Sequence, residues 1–110
     1  MIKNIFSNIP TRLTEELVET LAASGNCRVE RILSLGHTSP QDFWYDQSED
    51  EWILLVTGGA TLELQDPDTE ITLIPGDTLF LPAGRKHRVS WTDPDCVSTW
   101  IAVFISKEHS

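Results

Sequence analysis

From residue 27 to residue 105 apolar side chains come in bursts of five to nine residues, separated by turns rich in Gly, Pro, Asp and Thr. "CRVERILSL" (27–35) ends at Gly36, and "EWILLVT" (51–57) ends at Gly58-Gly59. In "ATLELQ" (60–65) Leu62 and Leu64 alternate with Thr61, Glu63 and Gln65, the period of a strand with one buried face. Residues 51–57 are apolar on both faces, as in a strand covered on both sides. "EITLI" (70–74), "TLFLP" (78–82), "HRVSW" (87–91) and "VSTWIAVFI" (97–105) follow, separated by the turns Asp66-Pro67-Asp68-Thr69, Pro75-Gly76-Asp77 and Thr92-Asp93-Pro94-Asp95. About seven short strands with frequent turns predict an antiparallel sandwich or barrel.

The stretch before residue 27 reads differently. Leu13, Leu17 and Leu21 recur every four residues with Val18 beside them, Glu15 and Glu16 lie at the N-terminal end, and Gly25-Asn26 supplies a stop. This pattern predicts one amphipathic helix over about 11–24, packed outside the sheet.

Charge and cysteine content narrow the function classes. Seventeen Asp and Glu against eight Lys and Arg leave a net charge of -9. No basic face is expected, which argues against nucleic acid and against an anionic membrane surface. No apolar run reaches the roughly 18–20 residues needed to span a bilayer, and the N-terminus has no leader-like core. The expectation is a protein of the cytoplasm. Cys27 and Cys96 are too few for a disulfide framework and lack metal-type spacing; free thiols are the expected state, with a single bridge between them the alternative.

The densest chemistry lies in two places. Gly76, Pro82, Gly84 and His87 are spaced so that a turn, a strand end and a loop aim His87 inward, and Val89 and Trp91 are expected on the same strand face. In "FWYDQSEDEW" (43–52) four aromatics and four carboxylates crowd into ten residues, with six residues between Glu51 and Gly58. Adjacent residues of an extended chain face opposite ways, so only one of Asp46 and Gln47 can face His87.

The Gly76–His87 spacing resembles the second motif of the cupin superfamily, with Trp91 where that family has Asn. Glu51 to Gly58 resembles the tail of its first motif. The two histidines expected upstream fall on Tyr45 and Gln47, or on Trp44 and Asp46, depending on the spacer. The resemblance implies an all-β fold, a small jelly-roll double-stranded β-helix barrel carrying the N-terminal helix, with residues 1–110 as one cupin domain and the barrel over about 27–105. It also implies one divalent transition metal (Mn, Fe, Ni or Zn), for which His87, Glu51 and Gln47 are the ligands this chain offers.

Three readings stay open. In the first, the chain is a metal-dependent isomerase, dioxygenase or decarboxylase acting on a small molecule. In the second, it is a metal-free module holding a small ligand among Trp44, Tyr45, Asp46 and Trp91. In the third, it is an interaction protein whose barrel is filled by its own side chains. Glu51 then pairs with His87 or Arg88. Asp46, Glu49 and Asp50 are read as an acidic lip paired with the basic cluster Arg85, Lys86 and Arg88, and His37 as an exposed loop residue. Cupins often pair through edge strands, so a homodimer is expected.

Overall fold

The computed structural model describes residues 2–107. It contains β1 Leu17–Ser24, β2 Cys27–Ser34, β3 Glu49–Thr57, β4 Ala60–Leu64, β5 Thr69–Leu73, β6 Thr78–Leu81, β7 His87–Thr92 and β8 Ser98–Ser106. All pairings are antiparallel, and two sheets form, β1-β2-β8-β3-β6 and β5-β4-β7. The sheets face each other as a jelly-roll barrel.

Among the described residues there is no helix, and residues 17–24 are a strand. The leucine spacing misled because a step of four is even. Leu17 and Leu21 therefore repeat with the period of a strand as readily as with that of a helix. Gly25-Asn26 is the tip of a two-residue hairpin, with Ser24 opposite Cys27 and Gly25 at φ 57°. Gly at the first central position of such a loop matches the twist of the flanking strands. His109, which the sequence gives no role, lies outside the described residues.

Alternation decides what faces the barrel. β3 buries Glu51, Ile53 and Leu55 and turns Trp52 and Leu54 outward. β8 buries Trp100, Ala102 and Phe104, and β4 opposes them with Ala60, Leu62 and Leu64. Each such Leu contributes about 1.5–3 kcal/mol by leaving water. One irregularity changes a prediction: β4 pairs Leu62 with Val89 but Thr61 with Trp91, leaving Ser90 as an extra residue. This bulge breaks the alternation in β7. Val89 stays inside, whereas Trp91 is turned out and is 43% exposed.

The β3–β4 turn needs glycine for two separate reasons. Gly58 has φ 84°, a region that disfavours L side chains, and a Cβ there would stand 2.6 Å from Ser98 Cα in β8. Gly25 has positive φ but open space around it. Equilibrium urea unfolding is expected to separate these costs. Gly25→Ala should lose about 1–2 kcal/mol from backbone strain alone, and Gly58→Ala about 3 kcal/mol or more, because β8 must also shift. Equal losses would mean that the close approach to β8 carries no energy.

Candidate functional site

The chain between β2 and β3 runs along β7 as a strap. Ser39 N donates to Val89 O at 2.9 Å, and Tyr45 N to His87 O at 2.8 Å. His87 N donates back to Tyr45 O at 3.2 Å, and Gly84 N to Gln47 O at 2.9 Å. These bonds cover the β7 edge and set the strap's register. Tyr45 and Gln47 therefore line the cavity, and Trp44 and Asp46 do not. Of the two spacings open in the sequence, the structure uses the one that points Tyr45 and Gln47 inward.

That cavity has a volume of about 210 Å³. Gln47, Glu51, His87 and the ring of Tyr45 line it, and so do the carboxylate residues Glu16 and Glu30; the remainder is apolar, including Ile53, Leu62, Leu81 and Phe104. Tyr45 stacks on His87 with centroids 5.4 Å apart and planes 22° apart. Trp91 lies outside, against Gly59, and Trp44 lines a separate surface groove with Glu63 and Leu64. Asp46 is exposed. Of the pocket expected from Trp44, Tyr45, Asp46 and Trp91, only Tyr45 lines the cavity, because the strap's alternation and the β7 bulge turn the other three away.

Other residues enter the wall from positions the sequence had not singled out. Glu16 and Val18 come from the segment read as helix, Glu30 and Ile32 from β2, and Trp100 from β8. Glu30 and Ile32 were discoverable from the period of two in β2, but both faces of that strand carry an arginine and the inward face was ambiguous. Trp100 buries its indole N–H without a hydrogen-bond partner. The expected pairing of acidic lip and basic cluster does not form. Arg85 binds the carbonyls of Gln65 and Pro67, and Arg88 pairs with Glu63 at 3.3 Å. Glu49 pairs with Arg28, and Asp50 with Lys107 at 3.7 Å. His37, expected to be exposed, is half-buried, its Nδ1 accepting from Leu35 N at 2.9 Å, and it lines a groove that shares Glu16, Tyr45 and Val89 with the cavity wall.

Proton placement follows from partners. His87 Nδ1 lies 3.1 Å from Arg85 O, a carbonyl that can only accept, so Nδ1 carries the hydrogen and Nε2 keeps a free lone pair. Nε2 faces Glu51 Oε1 at 3.7 Å, beyond hydrogen-bond reach. Gln47 Nε2 donates to the same Oε1 at 2.8 Å. Burial pushes the Glu51 carboxyl up to about 7, against the pull of the Gln47 bond. Burial lowers the pKa of His87, which keeps the imidazole neutral, with the Arg85 bond opposing. Burial, then the Glu16 and Glu51 charges, raise that of Tyr45, against a hydrogen bond from Ser39.

These residues do not make a metal centre of the usual kind. Among the described residues no three His, Cys, Asp or Glu stand close enough to hold an ion. Gln47 presents its amide N–H to the only strong carboxylate donor beside His87, and two firm donors fall short of the usual three. Glu30 is engaged by Arg28 at 3.0 Å, and Glu16 accepts from Ser34 Oγ at 3.1 Å.

No family model matches the chain, and no curated protein matches it. Solved structures do. A protein of Ralstonia eutropha JMP134, provisionally named a mannose-6-phosphate isomerase, is similar at 36% identity with a TM-score of 0.92, over 96% of this chain and 98% of that one. A cupin superfamily protein of Desulfitobacterium hafniense DCB-2 shares the fold at 20% identity and a TM-score of 0.74, over 90% and 84% of the two chains. A Cupin 2 conserved barrel domain protein of Salinispora arenicola CNS-205 does so at 20% identity and a TM-score of 0.66, over 84% and 76%. Agreement over nearly the whole of the Ralstonia chain carries kinship as well as fold, and the chain belongs to the cupin superfamily.

Proposed function

We propose that the barrel is a metal-free site for a compact, uncharged small molecule, with Glu51 and His87 as a proton-transfer pair facing it. The observation that carries this reading is a 210 Å³ cavity in which Glu51 and His87 face each other, with no third His, Cys, Asp or Glu among the described residues close enough to hold a metal with them. A cavity of about 150 Å³ already holds benzene, so this one has room for about one ring and a substituent.

Charge and hydrogen bonding narrow the ligand. Glu16, Glu30 and Glu51 line the cavity and no Lys or Arg does. A phosphate or carboxylate would enter without a counter-charge, at a cost of several kcal/mol for a poorly paired buried anion. The sugar phosphate in the Ralstonia relative's name therefore does not suit this wall. A ligand hydroxyl would bridge the gap between Glu51 and His87 Nε2. The neutral imidazole accepts a proton there while the protonated carboxyl offers one, the division of roles needed to move a proton on a small substrate.

Metal-stripped protein is expected to bind benzyl alcohol saturably, with a shift of the Trp100 indole N–H resonance. Benzoate and mannose 6-phosphate should bind at least about tenfold more weakly. Stoichiometric Mn, Fe, Ni or Zn retained after supplementation, and lost in His87→Ala, would overturn the metal-free reading.

The pH dependence of stability tests the buried acid. A carboxyl whose pKa is higher in the folded than in the unfolded chain holds extra protons when folded, so its contribution falls as pH rises from about 4.5 to about 7. The loss across that window is about 3 kcal/mol. His87 acts in the opposite sense, because its lowered pKa costs stability as pH falls below 6.5. Glu51→Gln retains an acceptor for Gln47 and leaves His87 in place. It should therefore gain on the wild type by about 3 kcal/mol between pH 4.5 and pH 8 in urea unfolding. Parallel pH profiles for the two proteins would place the Glu51 carboxyl in water rather than in the barrel.

A further inference from the structure

Tyr45 lines two hollows. Beyond the barrel cavity lies the groove beside His37, also of about 210 Å³, and the two share Glu16, Tyr45 and Val89 as wall. These three come from different elements, Glu16 from just before β1, Tyr45 from the strap and Val89 from β7, and they bound the passage between the hollows. Glu16 and Tyr45 are exposed there, whereas Glu51 and His87 are buried. Resting on the reading of the barrel as a site for an uncharged molecule, we propose that the two hollows hold one ligand. It is a ring with a hydroxyl at each end, one at Glu51 and His87, the other at Glu16, Tyr45 and His37.

The polar groups at the groove suit a partner that both donates and accepts. Leu35 N donates to His37 Nδ1 at 2.9 Å, which leaves the ring's hydrogen on Nε2. Thr92 Oγ1 donates to His37 O at 2.7 Å, so the residue is tied through ring and backbone and keeps one side-chain donor. Glu16 can only accept; Ser34 Oγ takes its Oε2 at 3.1 Å, and a carboxylate has acceptor capacity to spare. Ser39 Oγ accepts from Val89 N at 2.9 Å and turns its own hydrogen toward the Tyr45 hydroxyl, which is left to donate. A ligand hydroxyl matches this set, giving its hydrogen to Glu16 and accepting from Tyr45 or His37.

The Tyr45 ring also sets the length. Its face stacks on His87 in the cavity, and its hydroxyl meets Ser39 in the groove. A ligand ring laid along it carries one substituent to each hollow. An anionic end would face Glu15 and Glu16 with no Lys or Arg in the groove wall, and like charges placed together are strongly unfavourable. An end without a polar atom would leave the groove's donors and acceptor unpaired, the situation in which a site best rejects an analogue lacking a hydroxyl.

Para-xylylene glycol, a benzene ring with a hydroxymethyl group at each end, differs from para-methylbenzyl alcohol only in the second hydroxyl. In calorimetric titration of metal-stripped wild-type protein, the diol is expected to bind at least about tenfold more tightly. That ratio should fall at least about threefold in Tyr45→Phe, which keeps the ring and removes its hydroxyl, and in Glu16→Gln, which keeps an acceptor for Ser34. With the ratio as readout, any general weakening of the site by a substitution cancels. Equal affinity for the two alcohols, or a ratio unchanged in either folded variant, overturns the second subsite and leaves the barrel reading standing. Tighter binding of para-(aminomethyl)benzyl alcohol than of the diol overturns the hydroxyl in favour of a cation. Failure of both alcohols to bind overturns the barrel reading and its extension together. If Glu16→Gln does not fold, Tyr45→Phe still decides.

Discussion

The site depends on keeping the Glu51 carboxyl inside an apolar barrel. β3 is held between β8 and β6, so its alternation leaves Glu51 no outward position without turning Ile53 and Leu55 into water. The surroundings then answer the buried acid in three ways. Gln47 gives it a hydrogen bond, His87 faces it as a neutral base, and its pKa rises until proton sharing near neutrality becomes possible. Arg28 favours its charged form only from a distance, and no arginine among the described residues pairs with it directly.

The strap along β7 turns that buried acid into a site. Its backbone bonds to Val89, His87 and Gly84 seal the sheet edge and bring Tyr45 and Gln47 to the cavity. The same bonds hold His87 at both ends, through its own backbone and through the stacked Tyr45 ring. The base and the acid are thus placed by main-chain hydrogen bonds rather than by long flexible side chains. Such placement suits proton transfer, which is sensitive to small displacements.

Family membership and chemistry separate at this point. The chain has the cupin barrel and the second-motif spacing that aims His87 inward. The positions from which two further histidines would complete a metal site instead hold Tyr45 and Gln47. An aromatic ring is stacked on the remaining histidine and an amide is bound to the remaining glutamate, an arrangement that supports the acid–base pair proposed above. Shared ancestry with a protein named an isomerase therefore does not settle what this barrel accepts.

Much of this was legible from residue pattern alone. β2 to β8 each lie within two residues of their predicted bounds, because turn residues and period-two alternation are local properties of the chain. His87 and Glu51 were also readable, since motif spacing specifies where a strand starts and hence which way it faces. Three features needed the folded molecule. The Leu17–Leu21 spacing fits strand and helix equally, and only pairing with β2 settled it as strand. The β7 bulge at Ser90 is a mismatch between two strands, which neither strand records by itself, and it alone sends Trp91 outside. The choice of Gln47 over Asp46 came from hydrogen bonds between the strap and β7, partners about forty residues apart in sequence. Local alternation determines that a residue faces one side or the other; long-range pairing decides which side is the inside.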